Sequence, residues 1–215
     1  MPRPLPPHVV ARAGGSETEA VRDHILDAAH RVIVSQGLAA TSTRAVAAEA
    51  GIGAGTVYNY FDNRLQLLAH AITRRVRTLA EPFDELVALA STATVAANLR
   101  RSARMAATVL DEMVPLFAAA FSEGSLLEAL HAELAGGGAG SGGAMPIDPA
   151  VYLERYLLAE RELGRIAADA DCRAAANTVV SLCHDRAFHR FFLGADAPSP
   201  SLDREIDLVV RALAP

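Results

Sequence analysis

Apolar positions in the first half of the chain recur at steps of three and four, not two. Val21, Ile25, Ala28, Ala29, Val32 and Ile33 stripe one face over residues 17–36 and predict an amphipathic helix. Ser16 and Glu19 stand at capping-box spacing in front of it. Gly37 sits where a left-handed stop belongs, and Thr41, Ser42 and Thr43 offer a fresh cap. Val46, Ala47 and Ala50 give a second, short helix an inward face before Gly51 ends it. Gly51-Ile52-Gly53 reads as a tight turn and Ala54–Phe61 as another short helix. Asp62 or Asn63 then caps a longer helix striped by Leu65, Leu68, Ala69, Ile72 and Val76, which ends near residue 80 at Glu81-Pro82. The same period continues, with helices expected at roughly 83–90, 93–113, 115–122, 124–135, 149–165, 171–193 and 202–213. No segment alternates as a strand does. The expected fold class is all-α.

The stretch GIGAGTVYNYF, residues 51–61, carries the first chemical question. Gly51, Gly53 and Gly55 spell GxGxG, but helical periodicity precedes them, and a dinucleotide fingerprint has meaning only between a strand and a helix. A Walker loop needs a lysine, and all 20 basic residues of this chain are arginine. Val57 and Phe61, four apart, share a face and with Ile52 belong to the core. Thr56, Tyr58, Asn59 and Tyr60 cannot all join them, so some must point outward. Residues 43–61 taken together are a short helix, a glycine-centred turn and a second short helix: a helix-turn-helix, whose second helix would enter a major groove. Thr56, Tyr58, Asn59 and Tyr60 offer hydroxyl and amide groups to bases and phosphates. Thr43 and Arg44 open the first short helix, Arg64 opens the next long one, and the two arginines flank the site as phosphate clamps. Ala54 and Gly55 are small enough to let the backbone come close.

Charge supports that reading once it is resolved along the chain. The total is −5, which by itself argues against nucleic acid. Yet residues 1–80 hold nine arginines against six acids, and the remaining 135 residues hold 11 arginines against 19 acids. A basic first third on an acidic body is the relevant asymmetry.

TSTRAVAAEAGIGAGTVYNYFDNRLQLL, residues 41–68, resembles the DNA-binding domain of the TetR/AcrR family of transcriptional repressors. The shared frame runs T-x-x-x-(I/V)-A-x-x-A-G-(I/V)-x-x-G-T-(L/V)-Y-x-x-F-x-x-(K/R)-x-x-L. Two positions depart from the family's usual residues: Gly53 replaces a serine cap and Arg64 a lysine. The resemblance covers about residues 17–80 and implies a linear organisation. Residues 1–16, rich in Pro and Gly, form a disordered arm. Residues 17–80 bind DNA, and residues 81–215 bind a ligand and dimerise, with a flexible glycine-rich loop at 135–149. It further implies double-stranded operator DNA as partner, a homodimer, and a small lipophilic or aromatic effector. A helical ligand-binding protein without DNA function, or an activator or constitutive repressor of the same fold, are the competing readings.

In the C-terminal part, Met105, Val109, Met113, Phe117 and Phe121 make an adaptable apolar run that suits a cavity, with Tyr152, Tyr156 and His131 as polar handles. Val179, Val180, Cys183, Ala187, Phe188, Phe191 and Phe192 give the segment 171–193 more apolar surface than a solvated helix needs, and form the expected dimer face. No catalytic constellation emerges. Ser181, His184 and Asp185 look like a triad in print, but on one helix His184 and Asp185 diverge by about 100°. His24, Asp27 and His30 lack a further ligand at metal spacing. The expectation is therefore no enzyme, no metal and no cofactor. Cys172 and Cys183 fit buried thiols in a reducing compartment. The Arg and Ala bias is that of GC-rich codons and a bacterial source. No run of 18 apolar residues and no signal-peptide pattern occurs, so the expected location is the cytoplasm, with no membrane.

Overall fold

The structure, a computed structural model, describes residues 17–135, 148–194, 196 and 201–215. The expected N-terminal arm, its Ser16 cap and the interior of the glycine-rich loop lie outside the described residues. Among those described, every regular element is helical.

Helix α1 (Glu17–Gln36) buries Val21, Ile25, Ala28, Ala29, Val32 and Ile33, the whole expected stripe, together with Leu26. Gly37 ends it at φ +83, its N–H bonded to Ile33 O at 2.9 Å. Helix α2 (Thr43–Ala50) starts at Ser42, whose hydroxyl accepts the Ala45 N–H at 3.1 Å. Gly51 stops it at φ +69, in the left-handed region that a Cβ disfavours. Helix α3 covers only Ala54–Tyr58; residues 59–61 leave it as a tightened turn, with Tyr60 N–H on Val57 O at 3.1 Å. Helix α4 (Arg64–Ala80) is capped by Asn63, whose Oδ1 accepts Gln66 N–H at 2.9 Å, while Gln66 Oε1 accepts Asp62 N–H at 2.6 Å. That is a reciprocal cap of the capping-box kind.

A 3₁₀ segment, Glu81–Leu89, follows with Pro82 at its start. The expected break at Pro115 is overturned: helix α5 runs unbroken from Val95 to Phe121 with Pro115 inside it. Proline favours a break by losing an N–H and crowding the previous turn. Here Leu110, Met113 and Val114 before it and Ala120 after it are all buried, so tertiary packing holds the helix through. Helices α6 (Gly124–Ala135), α7 (Pro149–Glu162), α8 (Cys172–Leu193) and α9 (Leu202–Ala212) complete the order. Asp148 and Asp171 cap α7 and α8, accepting Ala150 N–H and Ala174 N–H at 2.9 Å each.

Packing sorts the described residues into two units. One joins residues up to Arg75 with those from Leu116 to Ala135; the other joins Val76–Pro115 with Asp148 onward. Residues 116–135 thus group with the N-terminal helices, although the linear reading assigns all of 81–215 to one domain. In the first unit α1 packs on α2 and α2 on α3. His24 Nε2 lies 2.8 Å from Ala50 O, and Arg74 Nη1 donates to Asp27 Oδ1 at 2.6 Å. The second unit has a core built from Phe83, Leu99, Ala103, Tyr152, Tyr156, Val179, Cys183 and Ile206, among others. Burial pushes the Cys183 thiol up to about 12.

Candidate nucleic-acid interface

The α2–turn–α3 segment is anchored by two side chains and presents most of the others. Val57 is fully buried and Phe61 is 1% exposed. Phe61 also receives the Arg22 guanidinium over its ring at 5.5 Å and the His70 ring at 5.7 Å between centroids. With that anchor in place, α3 and the turn after it leave most of their other residues at the surface. Ala54, Gly55 and Asn59 are exposed, Thr56 and Tyr60 are half-buried, and Tyr58 is 56% exposed, unusual for so large a ring. On α2, Arg44 is exposed and Thr43 is half-buried. Thr43 Oγ1 lies 3.0 Å from Tyr58 Oη, a hydrogen bond that joins the two helices at the outer surface.

The glycines acquire a reason from the space around them. A Cβ on Gly55 would meet nothing within 4 Å, and one on Gly53 only Thr56 Oγ1 at 3.9 Å. Nothing among the described residues demands their smallness. Room left open at that surface suits close approach by an external backbone.

Arg64 departs from the expected phosphate clamp. Its Nε donates to Thr41 O at 2.6 Å, its Nη2 to Leu38 O at 2.8 Å, and its Nη1 to the Glu123 carboxylate at 2.9 and 3.2 Å. A planar guanidinium has a fixed fork of donors, and this one spends it on the loop before α2 and on a carboxylate. The residue thereby ties the start of α4 to the loop before α2 and to Glu123. The sequence pattern offers no sign of this, because the three acceptors come from 23, 26 and 59 residues away.

His24, Asp27 and His30 are drawn into other contacts on α1. His24 reaches Ala50 O and Asp27 pairs with Arg74, and among the described residues no cluster of three metal-ligating side chains exists.

The expected ligand residues divide. Tyr152 and Tyr156 lie in the core of the second unit, with Met105 and Val109 packed against it. Met113 is buried, Phe117 is half-buried, and Phe121 is exposed. The expected dimer residues divide as well, and here the reading needs correction. Val179, Val180, Cys183 and Ala187 are buried in the chain's own core, so they have no surface left to give to a partner. Phe188 and Phe191 remain exposed, joined by Phe192, 70% exposed, and by Leu193, which the sequence reading did not single out. Phe188 stacks on Phe192 at 6.0 Å and Phe191 meets it edge-on at 5.0 Å. Helical periodicity does not separate the two groups, because Val180 and Phe191 lie within about 20° of each other around the helix.

Known proteins resemble this arrangement. Residues 25–71 match the family described as bacterial regulatory proteins, tetR family. The HTH-type transcriptional regulator SrpR of Pseudomonas putida is 34% identical over 74 residues, which is 34% of this chain and 35% of that protein. The match therefore spans about a third of that relative's length. Over nearly the whole chain the fold is that of a Mesorhizobium loti protein assigned to the TetR-family transcriptional regulators, with a TM-score of 0.70 at 20% identity, covering 93% of this chain and 97% of the other. The Bacillus subtilis regulator FadR in complex with stearoyl-CoA has the same fold at a TM-score of 0.57 and 19% identity, covering 89% and 97%.

Proposed function

We propose that this chain is a ligand-responsive repressor of the TetR type, binding a palindromic operator as a homodimer. The observation that carries the proposal is the exposure of Tyr58 on α3 and of Asn59 just after it, with Thr56 half-exposed beside them, above the buried anchors Val57 and Phe61. A helix so short and so presented is suited to a major groove, its N-terminal end toward the bases. Ala54 and Gly55 bring the backbone near the DNA. Arg44, Thr43 and Tyr60 make the flanking contacts, which position without specifying sequence. Specificity then rests on Thr56, Tyr58, Asn59 and DNA shape.

Two heads on one palindrome raise affinity without new contacts, provided a dimer holds both. The exposed aromatic cluster Phe188, Phe191 and Phe192 with Leu193 supports a second copy as partner, since contiguous exposed apolar groups of this size mark an interaction surface. The effector is a small apolar molecule held in the core of the second unit. It releases DNA by binding better to a form whose heads are wrongly spaced. A release of about 100-fold takes about 2.7 kcal/mol of such a difference. No described helix is long and apolar enough to cross a membrane.

The test is a gel shift of the full chain on the DNA upstream of its own gene, against random duplex, over a salt series. Tyr58→Ala and Thr56→Ala are expected to reduce preference for the operator, not merely total binding. Equal losses on both duplexes would refute readout by α3. A reporter assay then distinguishes repression from activation by its sign.

A further inference from the structure

One face of α7 carries a buried polar stripe that packing alone does not require. Tyr152, Tyr156 and Glu160 recur every four residues, and each is at most 2% exposed. The middle of the stripe is well partnered. Tyr156 Oη donates to Glu160 Oε1 at 2.7 Å and receives a side-chain hydrogen bond from Asn98, which also donates to Leu89 O at 2.8 Å. Glu160 Oε2 lies 3.2 Å from Arg165 Nη1, near enough to balance the charge but not aligned as a hydrogen bond. Arg165 also donates to Ala93 O.

The end of the stripe is different. Tyr152 Oη is buried and has no hydrogen-bond partner among the described residues, its ring tilted against Phe83 at 6.1 Å. Four buried side-chain polar atoms among the described residues are in this state, and two of them, Tyr152 Oη and Glu160 Oε2, fall on this one helix face. Buried hydroxyls are nearly always satisfied, because an unsatisfied one carries its full desolvation cost. A hydroxyl kept at that cost in a core of this kind has a use.

We infer that the Tyr152 hydroxyl is the polar recognition point of the effector site, selecting an uncharged, ring-bearing molecule that presents an oxygen to it. This deepens the effector reading above and rests on it. The class follows from the surroundings. Charge at Glu160 is already matched by Arg165, which leaves no call for a charged ligand. Burial, more than the opposed charges of Asp84 and Arg155, raises the phenol and keeps the hydroxyl protonated and donating; the same burial disfavours a carboxylate, which would lose its hydration with no cation bonded to it. A ring fits the place that the Phe83 ring holds beside Tyr152. Phe83 sits on the 3₁₀ segment, whose poorer hydrogen bonds let it yield more readily than an α-helix would.

The experiment uses the full chain and three probes sharing one ring system: 2-naphthol, naphthalene and 2-naphthoate. Titration calorimetry is expected to show 2-naphthol binding about ten-fold more tightly than either of the others, a factor in the range of one hydrogen bond. Tyr152→Phe should erase that preference while leaving naphthalene unchanged. The same variant without ligand should melt no lower than the wild type, since it loses a hydroxyl that bonds to nothing. Equal affinity for 2-naphthol and naphthalene, tight binding of 2-naphthoate, or a lowered melting temperature in Tyr152→Phe would each overturn the inference. Operator release is read separately by gel shift. Selective 2-naphthol binding that leaves the operator complex intact would sink the effector reading and leave the recognition point standing.

Discussion

Arg64 and Arg44 bear the same charge on either side of one helix-turn-helix, yet their surroundings assign them different work. Arg64 has its donors on Thr41 O, Leu38 O and Glu123, whereas Arg44 is exposed at the start of α2. Each phosphate neutralised adds about 0.9 to the slope of log affinity against log salt. Arg44→Ala should therefore flatten that slope by about one. Arg64→Ala should leave the slope unchanged while lowering unfolding stability by about 1–3 kcal/mol, the worth of hydrogen bonds to a charged group. Salt-series gel shifts and urea melts of the two variants check both statements, and a flattened slope in Arg64→Ala would return it to the DNA surface. The same contrast bears on Tyr58, whose hydroxyl meets Thr43 at an exposed site. Its loss in Tyr58→Phe should cost less than about 0.5 kcal/mol of stability, so any larger effect on operator affinity reports the DNA contact itself.

The elements around the site are short, and their ends matter more than their interiors. Helix α2 has eight residues and α3 five, too few to stand alone in water. Caps and anchors hold them instead. Ser42 closes the front of α2, Gly51 turns its end, and Val57 fixes α3 to the core. The Gly51 position isolates one physical cause. Its φ is +69, and a Cβ placed there would touch nothing within 4 Å, so alanine brings backbone strain without a clash. Gly51→Ala should cost about 1–2 kcal/mol, readable as a lower urea midpoint with the helical circular dichroism retained. A loss near zero would mean that the turn can relax away from the left-handed region.

At the scale of the whole molecule, two properties can be measured without knowing the operator. The first is assembly. The Phe188–Phe191–Phe192 cluster stays exposed in one chain although its neighbours on α8 are buried. Phe192→Ser is expected to shift the protein from dimer to monomer in sedimentation and to weaken operator binding with it. A stable dimer in that variant would move the interface elsewhere. The second is alkaline stability. Burial raises the Tyr156 phenol above its ordinary value of 10.0 and the Cys183 thiol from 9.0 to about 12. Between those limits the unfolded chain has released protons that the folded chain still holds, so unfolding is favoured as pH rises. Stability from these groups is complete below about pH 9 and declines above it. Urea midpoints on either side of that value should fall, and the fall should be smaller in Cys183→Ala than in the wild type.

Much of this was legible from residues 17–80 because the signals there are local. The stripe of α1, the stops at Gly37 and Gly51, and a cap within residues 41–43 and another at 62–63 all follow from spacings of four residues or fewer, while the structure selects Ser42 and Asn63 as the caps. Long-range partners are a different matter. The direction of Arg64 depends on carbonyls and a carboxylate that only the folded chain brings to it. The continuity of α5 through Pro115 depends on burial on both sides of the proline. Which half of the α8 apolar set faces its own core, and which stays exposed, was likewise decided by packing. Period and capping are properties of a short stretch of chain; where a long polar arm finds its acceptors, and which apolar face is used up, belongs to the assembled molecule.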